Sequence, residues 1–240
     1  MKSWAGTHRW LWLLTVGQSV VFVVLAQFPI NSFIVRALMI FLLVCLWTTV
    51  LALGWNRRLV RGLVMALSVL VTVVLLLPAR SVMVDDLRER VVRALRQYEG
   101  VVYLWGGENA HGIDCSGLVR RARMDAEWSY AFAHADPTAV RRALWIWWND
   151  QSALAMGQHD RGSTVLLERV SSLSECPPER YLPGDFAILN GVHVVAALGA
   201  GVWIEADPAQ GRVLVLPRGS DNAWLKVPAT LIRWSVLAER

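Results

Sequence analysis

The 240-residue chain is apolar and charge-poor, 55% hydrophobic and 18% charged against about 25% charged in an average soluble domain. That composition excludes a disordered chain, and three scattered cysteines, Cys45, Cys115 and Cys176, exclude a disulfide scaffold. The net charge of +5 would suit a nucleic-acid partner, but the surplus is confined: residues 1–79 carry +6 and residues 80–240 carry −1, with no acidic residue before Asp85. This speaks against a basic nucleic-acid-binding domain.

Residues 10–28, 33–55 and 59–77 are three apolar runs of 19 residues or more. Roughly 20 helical residues cross a hydrocarbon core of about 30 Å, so each run predicts a transmembrane helix and a lipid bilayer is the expected partner of residues 10–77. Ala26-Gln27-Phe28 is not a small-residue cleavage site, which argues against a cleaved signal peptide. Lys2 and Arg9 precede the first run and Arg57, Arg58 and Arg61 surround the second loop, while the loop at 29–32 is uncharged. The positive-inside rule then places the N-terminus in the cytoplasm and everything after Pro78 outside. The expected location is the inner (cytoplasmic) membrane, multi-pass, with the polar domain on the periplasmic or extracytoplasmic side. Arg36 dissents and is expected to snorkel to the interface, where Trp4, Trp10, Trp12 and Trp55 would form an aromatic belt.

Two domains follow: an anchor over 1–79 and a globular domain over 80–240. Residues 81–97 predict an amphipathic helix with Leu87, Val91, Leu95 and Tyr98 on one stripe, and Arg88, Arg90, Arg93 and Arg96 turned to solvent. A short apolar run at 101–105 meets Gly106-Gly107. The next stretch is the most informative: Gly112-Ile113-Asp114-Cys115-Ser116-Gly117-Leu118-Val119. Asp114 can cap a helix starting near Cys115 and running to about Arg123. A thiol at a helix N-terminus meets the positive end of the dipole and free N–H groups, which favour the nucleophilic thiolate. A buried structural cysteine is the bland alternative; the small polar neighbours argue for an exposed site.

A base for Cys115 must come from five histidines. His8 precedes the first apolar run, and His111, His134 and His159 sit in loop-like surroundings. His193 opens a strand-like run at 192–198, Gly199-Ala200-Gly201 makes a tight turn, and residues 202–206 return as a second strand. Such a hairpin sets Glu205 roughly opposite His193, with Asp207 as the second candidate for that place. A carboxylate there could accept the imidazole Nδ1–H, fix the tautomer and stabilise the imidazolium. Cys115, His193 and Glu205 would then be nucleophile, base and orienter.

These residues carry a family resemblance. Tyr103-Leu104-Trp105-Gly106-Gly107 and the 112–119 stretch resemble the first signature of the NlpC/P60 cysteine peptidases. Residues 182–189, Leu-Pro-Gly-Asp-Phe-Ala-Ile-Leu, look like the turn and strand that precede the family's histidine. Val192-His193-Val194 and Trp203-Ile204-Glu205-Ala206 fall where the family has its histidine and third residue. The match covers about residues 85–215 with four motifs in order.

The resemblance implies a papain-like α+β fold, with the cysteine-bearing helix packed on an antiparallel sheet. It implies hydrolysis of amide bonds in peptidoglycan stem peptides, often at the γ-D-glutamyl–diaminopimelate bond. By that analogy Cys115 attacks the carbonyl, His193 moves the proton and Glu205 orients His193. Backbone N–H groups near Cys115 and the Tyr103 hydroxyl would stabilise the oxyanion. Asp114 and Ser116 match positions lining the substrate subsite; a helix cap and a first-turn residue are their plainer roles.

Two departures from the family stand out. The third residue is more often His, Asn or Gln, and the gap between Cys115 and Gly184 is some tens of residues longer, an insertion at about 125–180. Residues 137–157 predict a Trp-rich helix in which Val140, Leu144, Trp147, Trp148, Leu154 and Ala155 share a face, with Trp145 and Ile146 off it. It could extend the core, cap the groove or rest on the membrane surface. Cys176, beside Pro177-Pro178, reads as a free loop thiol, and 207–208 and 218–222 as turns. No phosphate loop, metal-ligand spacing or internal repeat occurs, so neither a metal nor another cofactor is expected. Two rival functions fit the same residues: a lipid-directed thiol acyltransferase or hydrolase of a related permuted papain-like fold, and a non-catalytic cell-wall-binding protein.

Overall fold

The apolar runs become three helices, α1 (Lys2–Gln27), α2 (Phe33–Gly54) and α3 (Arg58–Leu76), each long and apolar enough to cross a membrane. The structure, a computed structural model, describes residues 2–238, with side chains from residue 9 onward. The places expected for Lys2 and Trp4 lie outside the described side chains. Ser32 caps α2, its hydroxyl accepting the Val35 N–H. Gly54 lets α3 start close by, because a Cβ there would lie 2.2 Å from Val60 Cγ1. Trp47 Nε1 donates to Ser68 Oγ at 3.0 Å, a polar tie between two apolar helices. Arg36 corrects the expectation placed on it: it is 1% exposed, so its side chain is enclosed by protein instead of reaching an interface.

Residues 1–78 form one compact unit and residues 79–240 another. The second unit opens with α4 (Val84–Gln97), whose Leu87, Val91, Leu95 and Tyr98 are buried. Arg88 departs from its expected solvent position. It is buried too, and donates to Asp185 Oδ1 at 3.2 Å and to the Pro183 carbonyl at 2.7 Å. Arg233 completes that group, giving two 2.7 Å bonds to the carboxylate of the fully buried Asp185. A buried carboxylate is held this way because losing one partner would leave an uncompensated charge in the interior.

A two-residue ribbon, β1 (Glu108–Asn109) with β2 (Gly112–Ile113), leads into α5 (Cys115–His134). This helix runs eleven residues past the expected end at Arg123, because its next turns also find partners. Arg123 donates to Glu127 within the helix, and Arg142 clasps the same carboxylate at 2.8 and 2.9 Å. The Trp-rich helix is two: α6 (Pro137–Trp148) and α7 (Ala153–Gly157). The break has a physical cause. Arg120, buried beside Glu108, donates to the Ile146 and Asn149 carbonyls and to Asp150 Oδ1, taking up groups that a helix end leaves unpaired. The face of α6 that packs is also another one than expected. Ala139, Ala143 and Ile146 are buried, Ile146 against Met124 of α5, while Leu144, Trp145 and Trp148 stay partly exposed.

Six strands make one antiparallel sheet: β3 (Thr164–Val170), β4 (Phe186–Leu189), β5 (His193–Gly199), β6 (Val202–Asp207), β7 (Arg212–Leu216) and β8 (Ala229–Trp234). Their order is β3-β8-β4-β5-β6-β7. The unit is thus α+β, with α4 and α5 on one face. Phe186, Ile188, Val194, Ala196 and Ile204 point to that face, with Leu118 and Ala122 of α5 above them. The alternate residues, Ala187, Leu189, Val195, Ala197 and Trp203, point to the other face, which Leu173, Cys176, Tyr181 and Leu225 cover. Cys176 is a free thiol in the loop between β3 and β4, as expected, and it is buried, 9% exposed.

Candidate active site

Cys115 stands at the first position of α5 because Asp114 ends the extended chain before it. The Asp114 backbone is extended (φ −99°, ψ 179°) and its Oδ1 accepts the Gly117 N–H at 2.6 Å. Oδ1 also accepts the Ser116 hydroxyl at 2.9 Å, and Oδ2 accepts the Gly106 N–H at 2.8 Å. Asp114 thus ties the 103–107 loop to the helix start. The glycines make that approach possible: a Cβ on Gly117 would lie 2.1 Å from the Gly107 carbonyl oxygen, and one on Gly107 2.4 Å from that of Gly112. Cys115 is only 8% exposed, more enclosed than its small polar neighbours suggest.

The clamped loop carries Tyr103, whose backbone bridges to Ile113. Burial, then the negative charges of Cys115 and Asp114, push the Tyr103 phenol up to about 12. A phenol kept neutral beside the thiol is a hydrogen-bond donor at any ordinary pH.

The hairpin delivers the other partners. Gly199, Ala200 and Gly201 all take positive φ (102°, 53° and 81°), so the turn reverses tightly and shifts the register by one residue between Ala197 and Gly199. Glu205 then pairs across the strands with Val195. Extended by two residues, the same register sets Asp207 opposite His193. Asp207 is engaged elsewhere, its Oδ1 accepting the Ala209 N–H at 2.7 Å and the Gln210 N–H at 3.3 Å. Glu205 reaches His193 along the diagonal instead, and His193 Nε2 bonds to Glu205 Oε2 at 2.6 Å. The nitrogen corrects the expectation that Nδ1 would face the carboxylate. Nδ1 is thereby left free of the carboxylate, and the Cys115 thiol lies close enough to influence the imidazole.

His193 is 3% exposed and Glu205 is fully buried. Burial alone would lower the imidazole pKa. The hydrogen bonds to Cys115 and Glu205, and the negative charge on both, outweigh it and raise the pKa to about 9. At neutral pH the ring is therefore protonated.

Two residues that the sequence reading left out complete the cluster. Asn222 Nδ2 donates to Glu205 Oε1 at 2.6 Å, so both carboxylate oxygens are held. The Trp224 ring stacks on the imidazole at 4.3 Å and 22°. Both belong to the segment over the second face of the sheet, where alternation along β5 and β6 also points His193 and Glu205. No local signal at 218–224 beyond a turn announces this.

Tyr103, Asp114, Cys115, Ser116, His193 and Glu205 therefore all gather around the start of α5 and the first residue of β5. The arrangement can do thiol chemistry: a nucleophile at a helix N-terminus, an imidazole to carry its proton, and a carboxylate to hold the imidazole. Among the described residues no group of three His, Cys, Asp or Glu side chains could hold a metal ion.

The model of the NlpC/P60 family matches residues 100–226. No curated protein matches the chain. Among solved structures, NlpC1 from Trichomonas vaginalis is 19% identical with a TM-score of 0.42, over 62% of this chain and 44% of that one. The NlpC/p60 domain of the peptidoglycan hydrolase SagA is 23% identical with a TM-score of 0.35, over 60% of this chain and 97% of that one. The peptidoglycan hydrolase RipB from Mycobacterium tuberculosis is 24% identical with a TM-score of 0.37, over 61% and 65%. The chain thus spans less than half the length of the Trichomonas protein.

Proposed function

The chain belongs to the NlpC/P60 family, and on that premise we propose that it is a membrane-anchored cysteine peptidase cutting amide bonds in peptidoglycan stem peptides. The γ-D-glutamyl–diaminopimelate bond is the first candidate. The observation that carries the reading is the line of Cys115 at the start of α5, the neighbouring His193 and the buried Glu205 hydrogen-bonded to that imidazole. A structural cysteine needs no such line. A wall-binding protein would have no use for a buried imidazolium beside its thiol.

Cys115 Sγ adds to the amide carbonyl as a thiolate, its proton already on His193 Nδ1. The tetrahedral oxyanion is met by backbone N–H groups at the N-terminus of α5 and by the Tyr103 hydroxyl. The C–N bond then breaks, the imidazolium gives its proton to the leaving amine, and a thioester remains on Cys115. Water attacks the thioester, leaves a proton on His193 and releases the acid. Glu205, held by Asn222, keeps the ring oriented throughout. Three helices apolar enough to span a bilayer would anchor this chemistry, with residues 79–240 on the outer side.

The test is product mass. The full chain in mild detergent, incubated with purified peptidoglycan, should release fragments cut within the stem peptide. Cys115→Ala should reduce that release at least about a thousandfold, the scale at which loss of a covalent nucleophile is read. Undiminished cleavage by Cys115→Ala would sink the mechanism. A fatty-acyl adduct trapped on Cys115, in place of a peptidyl one, would transfer the chemistry to lipid substrates.

A further inference from the structure

A cavity of about 370 Å³ opens in the 79–240 unit between the segment following Pro78, α6 and the end of β8. None of the residues around Cys115 lines it. Four arginines do: Arg80, Arg123, Arg142 and Arg161, with Trp145 and Trp234 as aromatic walls and hydroxyl groups between, and no acidic side chain lines it among the described residues. Arginines converging from four separate segments on one concavity are hard to explain as solvated surface. Glu127 accounts for Arg123 and Arg142 lying together, but it does not account for Arg80 and Arg161 facing the same space.

Among the described residues, one of these arginines has no carboxylate partner and another has only a half-exposed one. Arg123 and Arg142 share one carboxylate, that of the fully buried Glu127, with Asp136 a further 3.8 Å from Arg142. Arg161 donates to Asn149 Oδ1 and lies 3.5 Å from Asp160, both of them about half exposed. Arg80 has no carboxylate partner among the described residues. Its N–H donates to Thr138 Oγ1 at 3.0 Å and its guanidinium to the Ala135 carbonyl at 3.3 Å.

We propose that this cavity is a binding site for a phosphate-bearing ligand, whose anionic oxygens the guanidinium groups receive while its apolar part lies on Trp145. The guanidinium groups of Arg80 and Arg161 offer donors of the kind that suit a tetrahedral oxyanion, and the volume suits a headgroup-sized ligand. A phospholipid headgroup is the favoured source, because the walls combine cations with tryptophan and Arg80 follows Leu76, the last residue of α3, by only four residues. Free phosphate offers the same oxyanion. This site is independent of the thiol chemistry and would stand if that reading fell.

The experiment uses the full chain in a neutral detergent and compares dioctanoyl phosphatidylglycerol, dioctanoyl phosphatidylcholine and inorganic phosphate by native mass spectrometry. The expected result is one saturable phosphatidylglycerol bound about tenfold or more tightly than phosphatidylcholine. In the Arg80→Gln/Arg161→Gln double variant, which spares the Glu127 cluster, that preference should vanish with the melting temperature kept. If the double variant does not fold, Arg161→Gln alone, altering one half-exposed side chain, should lower the preference severalfold. Phosphate binding as tightly as the lipid, and equally lost in the variants, would name free phosphate as the source of the same chemistry. No preference for the anionic lipid together with no phosphate binding, or a preference that the folded variants retain, overturns the site.

Discussion

The proton on His193 ties the chemistry of the site to pH. The imidazole pKa is raised from 6.5 to about 9, so the folded protein holds this proton where the unfolded chain would release it. The associated stability is fully present below about pH 6.5 and is lost as pH rises through about 9. Catalysis follows the same sign, because only the imidazolium can protonate the leaving amine. We expect kcat/KM to fall on the alkaline side with a midpoint near 9. Glu205→Gln keeps an acceptor but removes the charge, so that limb should move to lower pH and kcat should drop by about a hundredfold. A pH–rate profile unmoved by Glu205→Gln would mean that the carboxylate only fills space. Asn222 acts one bond further out, through Glu205, and Trp224 through the ring it stacks on; both are positioning residues on this reading.

At the level of elements, α6 shows what decides a buried face. Leu144, Trp145, Trp147 and Trp148 make almost every side of this helix apolar, so periodicity alone does not choose among its faces. Size does: Ala139 and Ala143, both fully buried, let α6 approach α5 closely, and Ile146 fills the remaining gap beside Met124. Ile146→Ala should therefore cost about 2–4 kcal/mol in denaturant unfolding, and Leu144→Ala, at a position 38% exposed, well under 1 kcal/mol. Equal costs would restore the face read from the sequence. The same contrast explains what was legible elsewhere. Asp114 and Cys115 could be read because a helix cap is local chemistry, and the hairpin because Gly199-Ala200-Gly201 is a local turn. Glu205 and Asp207 were not separable, since the register sets Asp207 opposite His193 and it is the capture of Asp207 by the Ala209 and Gln210 N–H groups that leaves the imidazole to Glu205. Arg88, Asn222 and Trp224 were not legible at all. Their roles depend on Asp185, Glu205 and His193, which are distant or separated from them by a turn whose course no local pattern fixes.

For the whole molecule, charge distribution argues more than net charge does. Five of the six positive charges before Arg80 lie at the N-terminus or around the turn between α2 and α3, Arg36 inside α2 being the exception, while the turn between α1 and α2 is uncharged. On the proposed topology the basic loops stay in the cytoplasm, and three crossings would carry residues 79–240 to the opposite side, where wall peptides lie. The prediction is a labelling pattern. With Cys45, Cys115 and Cys176 replaced by alanine, a cysteine put at Asp221, whose side chain is 91% exposed, should react with a membrane-impermeant maleimide on intact cells. A cysteine put at Arg57, in the turn between α2 and α3, should react only after permeabilisation. The reverse pattern would place the thiol site in the cytoplasm, away from peptidoglycan, and would overturn the proposed substrate while leaving the geometry around Cys115 intact. Labelling of both positions from outside would mean that the number of crossings is not three.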